Sequence, residues 1–189
     1  MKHKDRFMEL LSGRPLDAAQ RLPREMRVYD FLDRNGISYE RVDHAHMPAF
    51  TMEECREIDK VLGTVMCKNL FLTNRQQTAF YLLMIPDGKP FKTKELSSQI
   101  NSARLSFAGG EQMIKYLDIE PGALSLMGLM NDKDNSVRLL VDEDILREEW
   151  LGCHPCVNTA SLRIKTADAF GPFLKACGHE MTVVKLIGE

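Results

Sequence analysis

Two short stretches of this chain carry residues whose types and spacing suit ligand chemistry. The first runs Leu151-Gly-Cys-His-Pro-Cys-Val-Asn-Thr-Ala-Ser-Leu162. Gly152 permits close backbone approach, while Pro155 fixes its own φ and restricts His154 to an extended conformation. The imidazole of His154 and the amide of Asn158 are therefore held on a polar loop, which reads as the floor of a site. The second stretch is Met66-Cys-Lys-Asn-Leu-Phe-Leu72. Strand periodicity puts Lys68 on one face with Leu70 and Leu72, on the core side. A lysine at the lip of an apolar face either snorkels to solvent or meets an anion or a polarised carbonyl.

Other chemistries find less support. Cys153-x-x-Cys156 has redox spacing, but a thioredoxin-like motif opens a helix early in a βαβ unit, whereas this pair falls near the C-terminal end and runs into Val-Asn-Thr-Ala-Ser. Zinc would require a second pair of ligands, for which only Cys177 and His179 are available, and His44-x-His46 lacks a third ligand at sensible spacing. The two cysteines read as packing residues, with no metal and no cofactor expected. No Gly-x-Ser-x-Gly, spaced Ser/His/Asp set or phosphate-binding loop occurs, so covalent acyl transfer and nucleotide hydrolysis have no support.

These stretches need a scaffold, and the chain is sized for one: 189 residues at 44% hydrophobic and 28% charged can bury a single core. No apolar run is long enough to cross a bilayer, and the first residues lack a signal-peptide core, which points to the cytoplasm. Five cysteines, an odd number scattered through the chain, fit reduced thiols. A net charge of −2 argues against a general nucleic-acid coat. The charge is nevertheless polarised, with Lys89, Lys92, Lys94 and Arg104 against Glu95 in one segment and an acidic excess over 131–150.

Periodicity predicts helices over 5–12 and 23–35, the first treated as an appendage covering 1–22 and the second opening the main domain, 23–189. A strand over 37–42 precedes a loop through His44 and His46 and a helix over 51–59 capped by Thr51 with Glu54 three residues on. Strands over 67–73 and 78–85 form a central hairpin. A helix over 93–100, an extended piece over 105–107, a helix over 111–117, an apolar stretch over 123–129 and a strand over 137–141 follow. An acidic helix over 143–150 leads into the His154 loop; after it come a strand over 162–164, a helix over 167–177 closed by Gly178, and a last strand over 181–186. The expectation is an α/β single domain with a mixed, mostly antiparallel central sheet flanked by helices, without the Gly-x-Gly-x-x-Gly turn of a doubly wound nucleotide fold.

Four ordered motifs add a resemblance: Cys67-Lys-Asn-Leu-Phe-Leu72; Arg104-Leu-Ser-Phe-Ala108; Glu120-Pro-Gly-Ala-Leu-Ser125 with Gly128-Leu-Met-Asn-Asp132; and Gly152-x-His-Pro-x-x-Asn-Thr-x-Ser-Leu162. Over about residues 24–187 the chain resembles the YbaK/ProX superfamily of aminoacyl-tRNA deacylases, closest to the ProXp-ala (PrdX-like) prolyl-tRNA editing proteins. The resemblance implies a free-standing enzyme that hydrolyses mischarged alanyl-tRNA(Pro), acting on the tRNA(Pro) acceptor end, with prolyl-tRNA synthetase as a further partner. It implies Lys68 and Asn69 as catalytic residues and Gly152, His154, Pro155, Asn158, Ser125 and Gly128 around the aminoacyl end. Lys89, Lys92, Lys94 and Arg104 become candidate phosphate contacts. The family's Pro-Phe after the serine is replaced here by Leu126-Met127, a change expected to bear on pocket size. An aminoacyl ester is already activated, so an enzyme need only position water and stabilise an oxyanion, which accounts for a site without nucleophile or metal. The alternatives are a deacylase for cysteinyl- or seryl-tRNA and a non-catalytic tRNA- or synthetase-binding module of the same fold.

Overall fold

Alternation along residues 68–85 builds the centre of the molecule. In the computed structural model, which describes residues 8–44, 52–64 and 66–188 (52–54 by backbone only), β3 (Lys68–Asn74) and β4 (Phe80–Ile85) pair antiparallel, Lys68 opposite Ile85. Phe80, Leu82 and Met84 enter the main core, whereas Tyr81, Leu83 and Ile85 enter a second cluster on the other face. This two-sided burial is why the run reads as continuously apolar. Asn74 closes the hairpin, its side-chain oxygen accepting the amides of Thr78 at 2.9 Å and Ala79 at 3.3 Å.

Two sheets, rather than one, sandwich the main core. The mixed sheet has the order β5-β3-β4-β6-β9, with β5 (Leu105–Phe107) antiparallel to β3 and with β6 (Val137–Asp142) and β9 (Met181–Val184) added in parallel. The other, fully antiparallel, has the order β1-β2-β8-β7, from β1 (Leu11–Ser12), β2 (Tyr39–Asp43), β7 (Trp150–Cys153) and β8 (Ala160–Lys165).

Helices seal the layers. In α1 (Pro23–Arg34), Pro23 starts the helix, Val28, Tyr29 and Leu32 are fully buried, and Gly36 at φ +64° ends the run. Leu62 and Ile58 of α2 (Met52–Leu62) close over Val42. Leu96 of α3 (Thr93–Gln99) covers Leu72 and Leu105 on the far side of the mixed sheet. Then α4 (Gly110–Leu117) and a 3-10 run, Leu126–Asn131, pack in the main core. The C-terminal helical run comprises α5 (Thr166–Asp168), a π turn at Ala169–Phe173 that takes up Pro172, and α6 (Leu174–Cys177).

Two expected helices give way to strands and a turn. The described part of the 5–12 helix is not helical: Leu11 and Ser12 pair with Arg41 and Glu40 as an edge strand, since a short amphipathic run gains more from satisfying β2's open edge than from one isolated turn. The acidic helix over 143–150 shrinks to a 3-10 turn at Ile145–Arg147, because Trp150 and Leu151 are drawn into β7 by pairing with Lys165 and Ile164. His46, Thr51 and the side chain of Glu54 lie outside the described residues. Residues 8–22 are tied down by charge: Arg21 meets Asp17 and Glu25 at 2.7 Å each and Asp43 at 2.8 Å.

Candidate functional site

The head of β3 is paired on one side only. β5 reaches Leu72, Thr73 and Asn74 but stops short of Lys68–Leu70, and a single further bond, Ala108 N–H to Phe71 O at 2.9 Å, fastens the chain after β5. A cavity of about 350 Å³ opens at this free edge. Cys67, Asn69, Leu70 and Phe71 of the β3 segment line it, with Phe107, Met113, the Pro121-Gly122 turn, Leu124 and His154. A larger groove of about 770 Å³ lies beside Gly13, Tyr39, Trp150 and Lys165, but it gathers none of the residues with candidate chemistry.

His154 follows β7 at the start of the loop joining it to β8. Its Nδ1 lies 3.1 Å from the carbonyl oxygen of Ala160. A carbonyl can only accept, so Nδ1 carries the proton and Nε2 keeps its lone pair. Burial lowers the imidazole pKa, and the ring is neutral at pH 7. The loop is braced from β2: His44 N–H donates to Thr159 O at 2.9 Å, and its Nε2 lies 2.9 Å from Ser161 Oγ. Burial first, then repulsion from His154 once acid protonates it, push the His44 pKa down to about 4. The turn itself rests on Cys156, which adopts φ +59°.

Asn69 donates from Nδ2 to Cys67 O at 3.1 Å, while its Oδ1 is buried without a hydrogen-bond partner. An unmet buried acceptor is costly, and Asn69 is the residue of the cavity wall that carries one. Cys67 is the thiol on the wall, and burial, with Glu148 and Asp87 nearby, pushes it up to about 12, so it is no nucleophile at neutral pH. Cys153 and Cys156 are buried and free, their thiols raised by burial, Cys153 to about 12. Reactive redox cysteines have the opposite shift. Among the described residues, no group of three His, Cys, Asp or Glu side chains is placed to hold a metal.

The structure brings together only part of the expected set. Asn69 and His154 share the cavity, and Asn158 stands at its rim, its Nδ2 3.7 Å from where a Cβ on Gly122 would lie. Gly152 and Pro155 are buried behind the loop, Gly152 bridged to Met66. Lys68 does not line the cavity: its ammonium donates to the carbonyl oxygens of Asp87 and Lys89, both at 2.9 Å. The parity that grouped it with Leu70 and Leu72 holds, but Leu70 reaches the cavity at the free edge and Lys68, held by those two carbonyls, does not. Ser125 is fully buried and caps the 3-10 run, accepting Met127 N–H at 3.2 Å. Gly128 lies inside the core, where a Cβ would stand 2.6 Å from Ile119 Cδ1. Leu126 and Met127 are likewise fully buried in the core and line no part of the cavity, so the departure at these positions does not set its size.

Of the basic residues, Lys89 is drawn into ion pairs with Asp142 and Asp144 at 2.7 Å each. Lys92, Lys94 and Arg104 are exposed. Phe107, Met113, Pro121, Gly122 and Leu124 were not foreseen as cavity walls, although all of them except Met113 fall inside motifs that had already stood out in the sequence.

The profile of the family described as "Aminoacyl-tRNA editing domain" matches residues 46–170. The chain is 30% identical over 155 residues to the "Prolyl-tRNA editing protein ProX" of Acetoanaerobium sticklandii, covering 82% of this chain and 93% of that protein. It is 27% identical over 157 residues to the "Prolyl-tRNA synthetase associated domain-containing protein 1" of Danio rerio, covering 82% and 83%. A solved structure described as a candidate trans-editing enzyme for prolyl tRNA synthetase superposes with a TM-score of 0.63 at 16% identity, covering 88% of this chain and 99% of that one, which speaks for the fold. No helix among the described residues is long and apolar enough to cross a membrane.

Proposed function

This chain belongs to the aminoacyl-tRNA editing domain family, and on that premise we propose that it is a cytoplasmic trans-editing hydrolase that deacylates mischarged alanyl-tRNA(Pro), correcting errors of prolyl-tRNA synthetase. The observation that carries this reading is the meeting of Asn69 and His154 in one apolar cavity whose wall thiol is held protonated.

The neutral His154 accepts a proton from water through Nε2, and the water attacks the ester carbonyl; the proton passes to the departing ribose oxygen. The Asn69 amide turns its Oδ1 to accept from the substrate's α-ammonium, meeting an acceptor that has no partner in the fold and fixing the ester beside His154. Lys68 works at one remove, tying the turn after β4 to the head of β3 and so fixing the strand from which Asn69 projects. Selection is by exclusion: the part of the cavity walled by Phe71, Met113 and Leu124 admits a small side chain and rejects the proline ring.

The test is amino-acid release from tRNA(Pro) charged with alanine, cysteine, serine or proline. Rapid release of alanine with proline spared is the expected result. Release of cysteine or serine in preference to alanine would reassign the substrate, and no acceleration with any of them would leave a binding module.

A further inference from the structure

Among the described residues, no ring or cation is paired with the aromatic ring of Phe107. It is 64% exposed although its backbone is fixed by pairing with Leu72 and by the bond from Ala108 to Phe71. Strand parity puts it on the face of Leu105, which is 2% exposed beneath α3. Thus α3 covers one residue of β5 and leaves the next on that face bare. Phe107 also lines the cavity, and among the described residues it is the only strongly exposed side chain of the large apolar walls. Exposed Lys92 and Lys94 belong to the α3 segment on this same face, and Arg104 immediately precedes β5.

We propose that Phe107 is the stacking platform for the terminal nucleobase of the tRNA substrate. This rests on the editing function proposed above. If the ester occupies the cavity, its ribose lies at the mouth and the base attached to that ribose lies just outside, where a rigid, exposed ring stands. A base and a phenyl ring exclude water from each other's faces without directional bonds, so the platform accepts any base by its π-face. The cations on α3 and ahead of β5 then meet the phosphates that follow.

Three replacements of Phe107 test this, measured with charged tRNA. Phe107→Leu keeps an apolar side chain but no ring and is expected to lower kcat/KM about ten-fold or more, mainly through KM; Phe107→Tyr is expected to retain wild-type values. In Phe107→Trp the added indole fluorescence should be quenched by the CCA trinucleotide, against a wild-type control carrying Trp150 alone. Wild-type KM in Phe107→Leu, or an indole indifferent to the trinucleotide, would overturn the proposal. A wild-type protein that deacylates nothing would instead remove the editing function, and the fluorescence measurement would still report on stacking.

Discussion

Lys68 and Asn69 are adjacent in sequence and serve opposite sides of one strand. The Lys68 ammonium is engaged by the carbonyls of Asp87 and Lys89, while the Asn69 amide forms part of the cavity wall with its oxygen unfilled. Residues read together as one catalytic pair therefore engage different partners, and the variants that follow separate them.

His154→Ala and Asn69→Ala are expected to cut kcat for deacylation by about two to four orders of magnitude and two to three orders respectively, with the fold retained. Single-turnover kinetics on charged tRNA measures this. Activity of His154→Ala within a few-fold of wild type would remove the imidazole from the reaction.

Lys68→Ala is expected to lower kcat by roughly two orders of magnitude with little change in KM, because it loosens the head of β3 without touching the substrate. Circular dichroism should show a native fold. A rise in KM with kcat preserved would instead mean that the lysine contacts substrate directly.

The thiols should be dispensable for catalysis. Cys67→Ser should keep most activity, since a thiol at about 12 is protonated throughout the working range. Cys153→Ser/Cys156→Ser should also hydrolyse substrate, with some loss of stability from placing hydroxyls in buried positions. Elemental analysis is expected to find no stoichiometric zinc; one equivalent, or inactivation by chelators, would restore a metal role to Cys153-x-x-Cys156.

Acid should act through the two histidines. Each has its folded-state pKa below the ordinary value, so the unfolded chain binds protons more readily and stability falls as pH drops. For His44 the window runs from 6.5 down to about 4, a loss of about 3 kcal/mol that is absent above it. Denaturant unfolding across that window, with His44→Gln as control, should show a shallower slope in the variant. Deacylation should be flat through neutrality and decline below pH 6.5, as the buried His154 is protonated.

The basic residues divide into two kinds. Replacing Lys92 and Lys94 with alanine should raise KM for charged tRNA at nearly constant kcat and flatten the salt dependence by roughly 0.7 per lost contact. Lys89→Ala should instead destabilise the protein by about 2 kcal/mol, because it leaves the fully buried Asp142 without its cation. Unchanged KM and salt slope in the double variant would move the acceptor stem elsewhere.

Much of the scaffold could be read from local pattern. Helix α1 was legible from Val28, Phe31 and Leu32 with Gly36 behind them, and the β3–β4 hairpin from its apolar alternation, because 3.6- and 2-residue periods are properties of the chain itself. The His154 loop was legible because proline and glycine punctuate locally. What the chain alone did not decide was partnership. Leu11–Ser12 and Trp150–Leu151 became strands only because β2 and β8 offered them edges, a long-range gain that no window around them contains. Parity placed Lys68 with Leu70 and Leu72, but the choice of face for the cavity depended on where β5 stops along β3. The resemblance offered Ser125 and Gly128 as ligand residues, and only packing against Met127, Ile119 and Leu117 places them in the core, off the cavity wall. Phe107 stands bare because α3 ends its cover at Leu105, a fact of tertiary packing that residue type and spacing do not encode.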